Sequence, residues 1–600
     1  MATLSYAIQV KCSSFSPDHS TASLSSSFSF KPFLKKMYHK PIFDSVPKNI
    51  KEASVKFWDA FVDYAFVFVD QPLLPSQSNF APVEEIGEAI QVTETIDGTI
   101  PVDFPEGVYV RNGPNPLFGG LKSTNSIFGK SSQTWVEGEG MLHALYFSKD
   151  SDGKWNVCYN NKFVKTDTFK LEKAMKKPGF IPAIEGDSAA VLSAYLLNWL
   201  RFGSENKLLS NTNVFEHCGK LYSVAENHIP QEIDILTLET KRNWDINGAW
   251  DRPFTSHPKK VHGTGELVIM GIYPQKPYFE LGVVSADGKK LLHKVDLKLN
   301  RCCLCHEIGI TERYNVIMDF PLTLDINRLI TGGPLIKYNK EGYARIGIMP
   351  RYGDADSVKW FDVEPCCTFH IINCYEQGDE VVVLACRARD SIIPGPDFGL
   401  NKFEWFSKRF KHIGGSLDEK SEENSLFSRV YEWRINLKSG DVKERNLTGT
   451  EHSMDFPMIN EKYTGKENNF GYTQVVDLQA SSISGMAKFG GLAKHYFKET
   501  KNELSEESIE TEYHMFPENT FCTGAAFVAK CGGSEEDDGW VVTYVHNEDS
   551  NESQVHIVDA KNFSNEPVAK ITLPTRVPYG FHGAFVPLSI STNIVTKFIE

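Results

Sequence analysis

From about residue 85 onward the chain is written in short apolar runs broken by turn residues. GVYVR (107–111), MLHALYF (141–147), WNVCYNNKFV (155–164), KLYSVAE (220–226), ELVIMGIY (266–273), NVIMDF (315–320), EVVVLACRA (380–388), GWVVTYVH (539–546) and SQVHIVDA (553–560) follow one another, with Gly, Pro, Asn and Asp between them. Valine, isoleucine and aromatic side chains suit a pleated, half-buried surface, and runs of this length are those of strands. Nothing alternates strand with helix in the manner of a parallel sheet, and no phosphate-binding loop is present. The expected class is therefore all-β: a sandwich, barrel or propeller. A β-rich stretch of about 500 residues favours a propeller, although no WD or kelch repeat survives in the sequence.

Three segments depart from this rhythm. Residues 50–69 (IKEASVKFWDAFVDYAFVFV) repeat apolar positions at helical spacing, with Phe57, Phe61 and Ala65 on one strip and Trp58, Val62 and Phe66 beside it. Pro72 and Pro75 end any helix there. Residues 178–215 contain a second helical pattern, AAVLSAYLLNWLRFG. The third, 394–424, reads as an insertion in which Phe403, Phe406, Phe410 and Ile413 share a face bordered by Lys402, Lys408, Arg409 and Lys411. Aromatic and basic side chains together are the composition of a helix lying on a membrane surface, so the segment reads either as a peripheral membrane contact through Phe406 and Phe410 or as an exposed loop helix with no membrane role. Before all of these, residues 1–30 are rich in Ser and hold a single acid, Asp18. That is the composition of a plastid transit peptide rather than a secretory signal, with a disordered tail on a cytoplasmic enzyme as the alternative. The expected organisation is a leader at 1–45, an amphipathic segment at 46–76 and one domain at 77–600 with insertions at 178–215 and 394–424.

Composition narrows the function classes. The formal charge of -14 argues against nucleic-acid binding, which needs a concentrated basic footprint. No apolar run reaches the length that spans a bilayer. Twelve cysteines lack a regular spacing framework, which fits a reducing compartment. Cys302 and Cys305 form one CxxC beside His306, but no second CxxC exists to close a structural zinc site. The surplus of Phe and Tyr suits either a large core or a site for a long apolar ligand.

Seventeen histidines are present, and spacing alone selects none of them. Eight motifs do, because they fall in the order of one family: DQPLLPSQSNFAPV (70–83), RNGPNP (111–116), EGEGMLHALYF (137–147), FTSHPK (254–259), GELVIMGI (265–272), DFPMINEKYTG (455–465), EEDDGW (535–540) and YGFHGAFV (579–586). Over residues 60–590 the chain resembles the plant carotenoid cleavage dioxygenases. The resemblance implies a seven-bladed β-propeller with a helical dome, and a ferrous iron on its axis held by His257, His306, His370 and His582. Four neutral imidazoles suit a first-row metal and leave two positions of an octahedron open. In the family, carboxylates orient these histidines; Glu226 in VAENHIP and Asp455 in MDFPMIN match two of them. The third position falls on Gly524 in TGAAFV, a departure. Losing a carboxylate there should loosen one imidazole, and Gly524→Glu should restore metal retention.

The implied reaction is addition of dioxygen across one double bond of a carotenoid or apocarotenoid, at the 9,10 or 9′,10′ bond, giving carbonyl products. Low similarity around TFCTGAAFV is compatible with an apocarotenoid-preferring, zaxinone-synthase-like branch. Stilbene cleavage, iron-dependent isomerisation and a non-catalytic propeller that binds apolar ligand are the alternatives. His143 in EGEGMLHALYF reads as structural, Asn112 to Pro116 as a turn, and EEDDGW as an exposed acidic turn opening a strand.

Overall fold

The computed structural model describes residues 48–391, 393, 402–412, 425–500 and 508–588. The chain divides into a unit ending at Lys56 and a unit beginning at Phe57. The second holds the propeller.

Its strands form antiparallel sheets arranged as blades. Four sheets of four strands begin at Asn213–His217, Lys259–Lys260, Gly309–Ile310 and Ile371–Gln377. A nine-stranded sheet divides where a single pair, Phe489 with Cys522, joins its two halves, giving one blade that starts at Ser453–Met458 and another that starts at Thr520–Ala529. A five-stranded sheet that starts at Gly583–Pro587 completes the seven. The expected propeller is what the chain forms.

Closure uses both ends of the domain. Gly583–Pro587 pairs with Gly107–Pro114, and Ile96–Gly98 pairs with Ala569–Thr572. Each pairing buries a strand edge that would otherwise remain an open template for another chain. Between the blades the core is aliphatic: Val268, Leu281, Val316, Ile346, Val383 and Trp433, all close to fully buried, belong to one cluster. The alternation of Val, Ile and Leu seen in the sequence is thus the alternation of the two blade faces.

Helices Asp167–Met175 and Ser188–Phe202 stand apart from the blades. In the second, Ala190, Ala194, Leu197 and Arg201 recur at helical spacing and are buried, and Gly203 ends it at φ 73°. Lys207 binds Glu139, just before the strand Gly140–Lys149 (2.6 Å), and Glu172 of the shorter helix (2.8 Å), fastening helix to sheet. Tyr195 and Leu335 share a cavity of 520 Å³ with Glu226, so this helical layer covers the blade ends from which Glu226 projects.

Four expectations are corrected. The 50–69 pattern is helix only over Lys48–Ala65; Phe66–Asp70 is an edge strand paired with Lys122–Ser126, as its FVFVD alternation favours. Asn112–Pro114 belongs to a strand paired with Gly140–Leu142, because Pro114 is its last residue and needs to donate nothing further. In EEDDGW, Glu536 is buried and accepts the backbone N–H groups of Asn469 and Phe470, so the turn is an internal clasp. Phe406 and Phe410 do not face lipid. Phe406, in the short helix Lys402–Ser407, and Phe410 just beyond it are buried against Leu426, Phe427 and Leu478. Ile413 lies outside the described residues, as does the 1–45 leader.

Candidate metal centre

Each of the four sequence-selected histidines sits at the start of an innermost strand. His257 precedes Lys259–Lys260, His306 precedes Gly309–Ile310, His370 precedes Ile371–Gln377 and His582 precedes Gly583–Pro587. Because the innermost strands of a propeller run side by side about the axis, equivalent positions on different blades meet at one point. Ring centroids are 4.4 Å apart for His257 and His582, 4.7 Å for His257 and His306, 4.8 Å for His370 and His582, and 5.0 Å for His306 and His370. One ligand atom from each lies within 4.8 Å of the others, and among the described residues this is the group able to hold a metal.

The donor set fits a metal on two counts. Among the described residues the buried His370 Nε2 finds no hydrogen-bond partner, a costly state for a buried polar atom unless something else takes its lone pair. His306 and His370 both turn Nδ1 to a carboxylate: Glu226 Oε1 at 2.6 Å and Asp455 Oδ1 at 2.7 Å. A carboxylate at Nδ1 fixes the tautomer and leaves Nε2 as the free donor.

Electrostatics divides the four. Burial depresses the His306 imidazole, but the Glu226 carboxylate outweighs it and the net shift is upward. Glu226 responds in kind: burial raises it, the attraction of His306 wins, and it falls below the usual carboxylate range. His257 and His582 are pushed well down, first by burial and then by the neighbouring imidazoles and Lys259. Those two are held neutral, the state in which imidazole binds a metal.

The position of Gly524 overturns the expectation of a simple rescue. Its φ is 69°, and a Cβ placed there would lie well inside contact with Arg111 Cγ. Its carbonyl accepts from Tyr109 Oη. The Arg111 side chain occupies the space a Cβ would take, so a glutamate at 524 cannot enter without moving it.

Sequence reasoning missed Phe456. It has φ 55° and lays its ring against His370 and His582, 4.8 Å from each. A non-glycine residue in that region costs about 1–3 kcal/mol and persists only where its surroundings impose it. The DFP sequence following the matched acid was the available signal. Also missed was Glu307, beside His306, which pairs with Lys259 and accepts the Ile371 N–H at 2.6 Å. The cysteines near His306 are not part of the centre: Cys302 donates to Tyr273 O and Cys305 to Glu307 O. His143 is buried and bonded to Tyr159 Oη at 2.8 Å.

Fold and site together define a β-propeller built around four histidines that fit a bound metal. The family model described as retinal pigment epithelial membrane protein matches residues 80–587, and the chain belongs to that family. It is 31% identical over 523 residues to the carotenoid 9,10(9′,10′)-cleavage dioxygenase 1 of Pisum sativum, covering 85% of this chain and 89% of that protein. It is 27% identical over 555 residues to the 9-cis-epoxycarotenoid dioxygenase NCED1, chloroplastic, of Oryza sativa subsp. japonica, covering 88% and 79%. The structure of Pseudomonas brassicacearum lignostilbene dioxygenase superposes with a TM-score of 0.70 at 21% identity, covering 87% of this chain and all of that one.

Proposed function

We propose that this chain is a non-haem iron(II) dioxygenase that cleaves one conjugated double bond of a carotenoid or apocarotenoid, with the 9,10 or 9′,10′ bond favoured. The observation that carries the reading is the convergence of four imidazoles, two of them oriented by carboxylates, in a chain whose pea relative is named for that reaction. His257, His306, His370 and His582 would hold the iron, while Glu226 and Asp455 keep two rings turned toward it. Bound there, ferrous iron supplies the one-electron chemistry through which dioxygen reacts with a closed-shell polyene. The rest falls to the protein. Phe456 buttresses two of the rings, and burial keeps His257 and His582 in the neutral, singly protonated form. No side-chain acid or base is assigned to bond scission.

The test is anaerobic purification with Fe(II), then incubation in air with a panel of carotenoids and apocarotenoids and identification of products by mass. Carbonyl fragments with matching oxygen uptake support the reading. Cleavage of stilbenes alone, or an isomerised product formed without oxygen, would replace it with the corresponding alternative; no turnover and no bound metal would leave only a ligand-binding propeller.

Two further parts concern location. The Ser-rich, acid-poor leader supports import into plastids, checked by the position of a fluorescent fusion to residues 1–60 in leaf cells. A peripheral membrane contact is now best supported at Phe57, Tyr64, Val67 and Leu73, which are exposed apolar residues close in sequence. Unchanged liposome sedimentation of a Tyr64→Glu, Val67→Glu protein would remove it. No helix among the described residues is long and apolar enough to cross a membrane.

A further inference from the structure

The propeller has a second approach to its centre. A cavity of about 1100 Å³ is enclosed by the innermost strands of the blades and is lined at one end by His257, His370 and His582. At its other end stand Lys260, Gly263, Thr264, Glu461 and Lys462, all exposed. The helical layer with Tyr195 lies on the Glu226 side and lines a different cavity. The axial cavity is therefore a channel from solvent to the histidines, separate from the cavity beneath the helical layer.

Its wall changes character along the way. The mouth carries the ion pair of Lys260 with Glu216 at 3.0 Å. Apolar residues of 525–529 and 584–588 form the opposite side. Immediately before the histidines comes the pair of Lys259 and Glu307, whose side chains are 21% and 4% exposed. This pair lies between the strand bearing His257 and the strand bearing His370, since the second oxygen of Glu307 holds the Ile371 N–H.

We propose that the axial channel is the loading route for the divalent metal ion, and that the Lys259–Glu307 pair is its gate. A hydrated dication sheds water at great cost in apolar surroundings, so a polar, solvent-connected path is the one open to it. Carboxylate oxygen suits an ion that is still partly hydrated, and imidazole nitrogen then takes a first-row metal from it. Glu307 is the oxygen donor placed last before the histidines. To pass, the ion must displace Lys259 from Glu307, and the ammonium otherwise repels any approaching cation from His257 and His582. The inference rests on the metal-binding reading of the site and not on the cleavage reaction, so the two fail separately.

The test uses full-length, metal-free protein under argon, mixed with Co(II) and followed by the visible absorption of the bound ion. Release is then followed after addition of excess chelator. No polyene or oxygen is present. Lys259→Gln unlatches the gate and is expected to speed uptake by about tenfold, the scale on which a local charge alters ionic association. Ala584→Phe narrows the channel and is expected to slow uptake and release by the same factor, leaving their ratio unchanged. That matched slowing marks a path, because a disturbed site would change the ratio. A folded Ala584→Phe protein that loads and releases at wild-type rates overturns the route. Uptake that is unchanged or slower in Lys259→Gln overturns the gate, and this variant decides the matter alone if Ala584→Phe does not fold.

Discussion

The two halves of the metal centre are built differently. His306 and His370 are each pinned through Nδ1 by a carboxylate, Glu226 and Asp455. Among the described residues, none places a carboxylate at Nδ1 of His257 or His582. These two rings are positioned by strand starts and packing, and at the position the resemblance gives to a third acid stands the buried Gly524, with the Arg111 side chain against it. The first half is held by charge, the second by shape. A carboxylate can be deleted with little change in volume, whereas a packed backbone cannot be altered without moving its neighbours, so the two should fail in different ways.

The largest effect should come from removing a pinned ring. His370→Ala is expected to reduce bound metal to a trace after anaerobic loading and desalting; a full equivalent by metal analysis would show that three rings suffice. Next come Glu226→Gln and Asp455→Asn, each expected to weaken metal affinity by about 10–100-fold in chelator competition, with the fold intact. Equal affinity in both variants and wild type would erase the distinction between the halves. Gly524→Glu probes the other half and should act on the fold first. A side chain at φ 69° facing Arg111 is expected to cost about 1–3 kcal/mol in denaturant unfolding, with no gain in metal retention. Tighter retention at unchanged stability would mean that the backbone there can yield.

The smallest effect is on pH dependence. In the metal-free protein the His306 imidazole titrates above its ordinary 6.5 because of Glu226, against the opposing effect of burial. The protonated ring stabilises the metal-free fold fully below pH 6.5, and that contribution disappears as pH rises through the raised value. Metal binding runs the other way: it requires the neutral ring, so affinity should fall as pH drops through the same raised value. Glu226→Gln should move both changes to lower pH. Chelator competition and thermal unfolding between pH 6 and 9 measure them, and identical profiles in the two proteins would show that Glu226 does not govern the proton.

Much of the fold was legible because blades are made of local pattern. Runs such as EVVVLACRA become strands whatever lies beyond them, and turn residues separate them at blade spacing. The aromatic segments were less readable. Phe57 and Phe406 stand in similar aromatic-rich sequences, yet Phe57 is 63% exposed and Phe406 3%. Helical periodicity states that a face is apolar, not what will cover it; Leu426, Phe427 and Leu478 cover Phe406 from 20 or more residues away in sequence. The histidines were chosen from seventeen only by the motifs around them, since no spacing rule links His257 to His582. Phe456 and Glu307 escaped notice because their significance lies in touching residues from other blades.

By itself, the sequence determined the alternation that builds antiparallel blades, the helix within 178–215, and the residue types a metal centre would need. Those are properties of neighbours along the chain, fixed by backbone geometry and side-chain periodicity. Only the tertiary structure decided which imidazoles meet, which carboxylate faces which ring, why residue 524 has no room for a side chain, and that an ion-paired channel leads to the centre from outside. Each of these depends on closing the ring of blades, which places strand starts hundreds of residues apart within a few ångströms of one axis.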